Sequence, residues 1–425
     1  MHEISQLPNG LRIVTRTMTE TESVTVNFFV GAGGRYEDFK TEYGVSHFLE
    51  HLLFKGTHKR PTAKQISEEI DSVGGYINAY TTEDHTSYYV KLPKNYFGLA
   101  FNVMADIMTD PLFEQSQIDL ERNVILEEMK VFKDDPSRYV FDFVGDLLWP
   151  QDTLRTNVIG TEQIINTMNR EVIVNYFNQL YTMNNMVISV AGNITHKQVI
   201  DIAMELLANN SSKVSRTWQP VKGRVSKEKV YLKTEDTNQA HIVLAGRAPN
   251  IDAQDEAAMK ILCTILGAGS SSRLFMNVRE LKALAYTVHM GYYNFIDSGK
   301  FEVYAGVNHD KVPEALQAIN EELQKIQQEV VDPKELNKAK EQVRGHYIMG
   351  LEGNAAVADM MGLQMILTGR VRTLQESLQK IDEVSVQDVI EAAQSYLHKD
   401  SVKLAMIGPY EQDKKQEFEK LMEKN

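Results

Sequence analysis

The segment Gly44-Val-Ser-His-Phe-Leu-Glu-His-Leu-Leu-Phe-Lys-Gly-Thr57 restricts this chain more than any other. His47 and His51 are four residues apart, so on a helix they share one face about a turn from each other. Two imidazoles placed that way can bind one metal ion, and Glu50 next to the second can reach water on that ion. The flanking Val45, Phe48, Leu49, Leu52, Leu53 and Phe54 are apolar, which predicts a buried helix. A buried imidazole pair beside a buried carboxylate is costly unless something coordinates or pairs it. The pattern therefore points to metal-dependent hydrolysis rather than to two histidines on a helix surface.

The rest of the chain bounds this reading. A length of 425 residues predicts two to four domains, and 43% hydrophobic with 24% charged residues is ordinary globular composition. No window approaches the roughly 20 apolar residues of a membrane helix. The first ten residues show neither a basic nor an apolar leader pattern, so no signal peptide is expected. The single cysteine, Cys263, lies in the apolar run Ile261–Leu266 and reads as a small buried hydrophobe. One free thiol and no export signal fit a reducing cytoplasm. A net charge of −13 argues against a nucleic-acid partner. It would suit a cavity that attracts basic peptides, but solubility explains it as well.

Periodicity predicts two halves with one plan. Alternation over 23–30 predicts a strand that ends at Gly31-Ala-Gly-Gly34. The histidine helix follows, stopped by Gly56 and Pro61, then a helix over 63–73 and a hairpin with strands 76–82 and 86–91. Helices over 96–108 and 114–133 complete the set. A polar, turn-rich stretch at 211–228 reads as a linker between a metal-bearing half, 1–210, and a second half, 229–425, without metal ligands. The second half repeats the order: strand 240–244, helix 257–266 ending at Gly267-Ala-Gly269, strands 285–293 and 300–307, helices 312–330 and 333–349. The fold class is α+β: two similar sandwich halves, each with helices packed on a mixed, largely antiparallel sheet, related as an internal pseudo-repeat. His85 beside Asp84 is explained by a polar hairpin turn.

A catalytic zinc has three protein ligands and one open position. Glu121, Glu127 and Glu128 compete for the third place. Glu121 and Glu128, seven apart, share a helix face, and Glu127 points about 100° away. The face of Glu128 carries Val124, Ile125 and Phe132 and reads as a buried stripe. That of Glu127 carries Asn123, Lys130 and Asp134 and reads as wet. This favours Glu128 as ligand, with Glu121 behind it orienting a ligand.

The order H-x-x-E-H reverses the common H-E-x-x-H and marks the inverzincins. With the downstream E-x6-E, the two-half plan and the length, the whole chain resembles the pitrilysin/insulinase superfamily of zinc peptidases. Within it, the resemblance is to short bacterial relatives of the mitochondrial processing peptidase beta subunit. The resemblance implies His47, His51 and Glu128 as ligands of one Zn2+ per chain, Glu50 as general base, and Glu121 as an added acidic residue near the metal. It implies that Asn78, Ala79 and Tyr80, in Asn78-Ala-Tyr-Thr81, belong to an edge strand that pairs with an extended peptide substrate. It implies that Arg279 and Tyr286 clamp the substrate, Tyr286 also serving the oxyanion. It further implies a chamber closed between two halves or, in short members, two chains, and the presence of both Arg279 and Tyr286 favours a homodimer. The alternatives are a heterodimer in which a related chain brings the clamp, and a noncatalytic scaffold subunit.

Overall fold

The computed structural model describes residues 2–155, 157–210, 213–223 and 225–423. The chain divides into two compact units, neither continuous in sequence. The first comprises Met1–Lys130, Asn157–Gln219 and Met349–Thr373; the second comprises Val131–Thr156, Pro220–Ile348 and Leu374–Asn425. A single division into 1–210 and 229–425 thus misses two crossings: 131–156 joins the second unit, and 349–373 joins the first. Of the expected linker 211–228, Ser211, Ser212 and Arg224 lie outside the described residues. The described remainder has no helix or strand.

In the first unit, six strands form one mixed sheet: β1 (Glu3–Gln6), β2 (Arg12–Thr17), β3 (Ser23–Val30), β4 (Tyr76–Thr81), β5 (Thr86–Pro93) and β6 (Met186–Gly192). Their order is β1-β2-β6-β3-β5-β4, with β2 and β6 parallel and the other pairs antiparallel. The alternation read from the sequence holds on β3, where Val24, Val26, Phe28 and Val30 enter the main core. That core is closed by helices α1 (Val45–Leu52), α2 (Ala63–Asp71) and α3 (Phe97–Thr109) and by part of α4 (Gln115–Lys133).

The opposite face of β3 is buried as well. The helix Asn354–Thr368 crosses it, and Val357, Ala358, Met361 and Met365 pack on Val14, Phe29, Val187 and Ala191. Contact is close enough that a Cβ on Gly362 would lie 2.0 Å from the Phe29 ring, so a glycine is required there. Several polar side chains on this face pair with one another. Thr25 donates to Asn354 at 3.3 Å, and Ser87 donates to Asn27 at 2.7 Å.

The second unit repeats the arrangement with β7 (Val230–Thr234), β8 (Ala240–Ala248), β9 (Ala285–Asn294), β10 (Gly299–Val307) and β11 (Lys403–Gly408). The order β7-β11-β8-β10-β9 matches β2-β6-β3-β5-β4, again with one parallel pair. Its helices, among them Glu256–Gly267, Val312–Gln328 and Pro333–Gly350, build a second core. Here too a helix from the other part of the sequence, Asp142–Leu148, covers the second face, setting Val140, Phe143, Val144 and Leu147 on Val243, Ala245, Ala405 and Ile407.

Candidate metal centre

The apolar residues of α1 face the core: Val45, Phe48, Leu49 and Leu52 are buried. This leaves His47, Glu50 and His51 on the other side. The start of the helix is held from outside it. Gly44 sits at φ +95°, and a Cβ there would lie 2.8 Å from the Ile159 carbonyl oxygen. The buried Glu37 carboxylate accepts the Gly44 and Ser46 N–H groups, both at 2.8 Å, filling the place of an N-terminal cap. Burial pushes Glu37 up to about 8, against the lowering effect of those two N–H donors.

Three side chains converge beyond this turn. Nε2 of His47 and of His51 lie 3.7 and 3.6 Å from one carboxylate oxygen of Glu128. Among the described residues, this is the one group of histidine, cysteine and carboxylate side chains placed to hold a metal ion, its ligand atoms all within 4.8 Å. A tetrahedral ion with bonds of about 2.1 Å separates its ligand atoms by roughly 3.4 Å. The donor set therefore fits zinc in chemistry and in spacing. Burial, with His51 adjacent, pushes His47 down to about 3, so it carries the free lone pair a metal needs.

Glu121 stands behind the centre. Its carboxylate is 3.1 Å from Nδ1 of His51 and 2.7 Å from Nζ of Lys55. A proton on Nδ1 shared with Glu121 leaves Nε2 directed at the metal. Burial opposes the charge on Glu121, yet the hydrogen bonds from His51 and Lys55 outweigh it and hold its pKa below the usual range. The basis for choosing Glu128 needs correction. The buried stripe of α4 runs through Ile118, Glu121, Ile125 and Met129, while Val124 is 47% exposed and Phe132 only half-buried. Glu128 flanks that stripe, and its side chain is also 47% exposed. Glu127 pairs with Lys130 on the surface at 2.7 Å.

Glu50 lies beside His51, its pKa raised by burial, with the Thr81 hydroxyl and His51 pulling it back down. Thr81 donates to it at 2.6 Å. Thr81 ends β4, which has one neighbour, β5, and an open outer edge among the described residues. Asn78, Ala79 and Tyr80 lie on this edge strand. The Asn78 amide oxygen accepts the Ala79 N–H at 2.8 Å, and the Tyr80 hydroxyl donates to Asp359 at 2.7 Å. The hairpin turn is buried rather than surface-polar. Asp84 pairs with Arg35 at 2.9 Å, and His85 lies between the Phe29 and Tyr80 rings. The backbone N–H groups of Gly34 and Arg35 clamp the turn's carbonyls.

Comparison with known proteins adds to this geometry. The chain is 34% identical over 407 residues to an uncharacterized zinc protease of Mycobacterium leprae, covering 95% of this chain and 91% of the relative. It is 31% identical over 401 residues to an uncharacterized zinc protease of Bacillus subtilis, covering 94% and 97%. The chain belongs to the insulinase family, peptidase family M16. Within this M16 chain, the family's insulinase model matches residues 12–162, which contain His47, Glu50, His51, Glu121 and Glu128. The model of the M16 inactive domain matches 167–343. Two solved structures share the M16 fold. A protease from Helicobacter pylori has a TM-score of 0.90 and 22% identity over 96% of this chain and 99% of its own. A peptidase M16 inactive domain from Pseudomonas fluorescens has a TM-score of 0.89 and 17% identity over 97% and 98%. Among the described residues, no helix is long and apolar enough to cross a membrane.

The second unit carries Arg279 and Tyr286. Arg279 lies on a widened helical turn, Phe275–Leu281, its guanidinium 4.6 Å from the Phe275 ring centre and 5.7 Å from that of Tyr286. Tyr286, at the start of β9, is 74% exposed. Cys263 is buried, as expected. Sequence reasoning did not single out Lys55, Glu37, Asp359 or the hydroxyl of Thr81. Lys55 had only a weak local signal, four residues beyond His51 but past the end of the helix at Leu52. Glu37 and Asp359 had none, because their contacts are made through the fold.

Proposed function

We propose that this chain is a zinc-dependent endopeptidase acting on extended or unfolded peptides. The observation that carries the reading is the convergence of His47, His51 and Glu128 with the Glu50 carboxylate beside them. A zinc ion held by those three residues would supply a Lewis acid able to bring the pKa of water from about 16 toward 7. Glu50 takes the proton of the water whose oxygen adds to the peptide carbonyl carbon. It then returns that proton to the amine nitrogen as the C–N bond breaks. Glu121 and Lys55 hold His51 in the tautomer that leaves Nε2 free. The open edge of β4 pairs with the substrate main chain and enforces the extended form. Arg279 engages a substrate carbonyl or carboxylate, and the exposed Tyr286 phenol donates to the developing oxyanion.

A noncatalytic subunit of the same fold is the second reading, favoured by the Pseudomonas fluorescens protein being described as an inactive domain. Against it, the inactive-domain model falls on 167–343, apart from all four residues of the centre. We further propose that the protein works as a homodimer, checked by size-exclusion with light scattering.

The deciding experiment is cleavage of quenched fluorescent peptides by wild type and Glu50→Gln, with zinc quantified in both. The expected result is a loss of about 10²–10⁴-fold in kcat with zinc retained near one per chain. Wild type that binds zinc but cuts no peptide, alone or with a related chain added, sinks the reading.

A further inference from the structure

The hairpin β4–β5 fixes more about Thr81 than its hydroxyl. The Thr82 N–H donates to the His85 carbonyl at 2.9 Å and the His85 N–H to the Thr82 hydroxyl at 3.1 Å, so 82 and 85 stand at a hydrogen-bonded position of the ladder. The register then runs without a shift from Thr81↔Thr86 to Tyr76↔Lys91. Hydrogen-bonded and open pairs alternate along an antiparallel ladder, so Ile77, Ala79 and Thr81 turn their N–H and C=O groups away from β5, to the open edge. The Ala79 N–H, bonded to the Asn78 side chain and not to β5, agrees with this assignment. Side chains also alternate, so these three residues share a face of the sheet, the one that carries α1. Thr81 therefore has its main chain on the edge and its hydroxyl on Glu50.

We propose that Thr81 is a positioning residue that sets the Glu50 carboxylate relative to a peptide paired on the open edge of β4. This rests on the endopeptidase reading. One residue spans both tasks, so the strand that docks the substrate and the base that activates water keep a fixed mutual position. No loop lies between them to absorb error. The Glu50 Oε2 atom is held by Thr81, which leaves Oε1 to receive the proton. Loss of the hydroxyl lets the carboxylate rotate without changing the strand edge that binds the peptide.

The test compares zinc-loaded wild type, Thr81→Val and Thr81→Ser. Valine keeps the β-branched shape that suits a strand. The expected result for Thr81→Val is a fall of about 10- to 100-fold in kcat, the scale of a misplaced catalytic group, with KM within about twofold and zinc content unchanged. Thr81→Ser should restore kcat to within about threefold of wild type. An unchanged kcat in Thr81→Val, or a loss that serine does not recover, overturns the proposal. Crystal structures of the zinc-loaded proteins give a readout independent of turnover. Thr81→Val should show the Glu50 carboxylate in altered or multiple orientations with His47, His51 and Glu128 in place. One wild-type orientation in that variant overturns the proposal even if no peptide is cut. Wild type without activity but with Glu50 released in Thr81→Val would instead defeat the endopeptidase reading, and with it the role toward a bound peptide, while showing that Thr81 fixes the carboxylate.

Discussion

His51 is the most constrained side chain of the centre. One nitrogen faces Glu128, and the other meets Glu121, itself fixed by Lys55. Glu121→Gln replaces an acceptor with an amide that holds the ring less well. Zinc affinity should fall about 10- to 100-fold, measured by competition with a chromophoric chelator, while the fold is retained. His85 makes a different prediction. Burial pushes it down to about 4, below its unfolded value near 6.5. The folded state then binds fewer protons than the unfolded one between these limits, so stability is lost as pH falls from 6.5 to 4. The loss should be on the order of 3 kcal/mol, and His85→Asn, which preserves a bond to Thr82, should flatten that slope in urea titrations. The chemistry of His47, Glu50 and His51 was legible because one helical turn brings them together. His85 was read as a turn residue because nothing local shows Phe29 and Tyr80 closing around it.

Elements were legible wherever one face was apolar and the other polar. The hairpin, α3 and α4 fall within a residue or two of the ranges expected from periodicity. The stripe on α4 was misjudged for a physical reason. Glu121 is a charged residue in a buried row, compensated by Lys55 and His51, and spacing cannot reveal such compensation. The helix Asn354–Thr368 was not anticipated as the cover of β3, because its contacts with Phe29 and Val14 span more than 300 residues of sequence. Gly362→Ala tests that cover. The new methyl group would meet the Phe29 ring, and overpacking of this kind costs about 1–3 kcal/mol. A lower Tm and faster proteolysis of this helix are expected, whereas an unchanged Tm would mean that the helix can shift without cost.

At the scale of the molecule, the repeated strand order shows that one plan is used twice, and among the described residues only the first copy carries a group placed to hold a metal ion. The repeat was legible, but the exchange of covering helices was not, since both copies keep the same order of elements. That exchange governs how the chain can be divided. A fragment of residues 1–210 lacks the helix that buries Val14, Phe29, Val187 and Ala191. It should be aggregation-prone or should bind hydrophobic dyes, and adding the remaining residues in trans should restore a cooperative melt. A soluble, cooperatively melting 1–210 fragment would contradict the division described above.

The same exchange sets a schedule during synthesis. β6, the last strand of the first sheet, ends at Gly192, but its cover begins at Asn354. At about 5–20 residues per second, a ribosome takes roughly 8–30 seconds to make the intervening stretch. For that interval the nascent sheet has one wet apolar face, while the residues of the metal centre have already been made. A factor that shelters nascent chains would find its target in that window, on the face that Gly362 later closes.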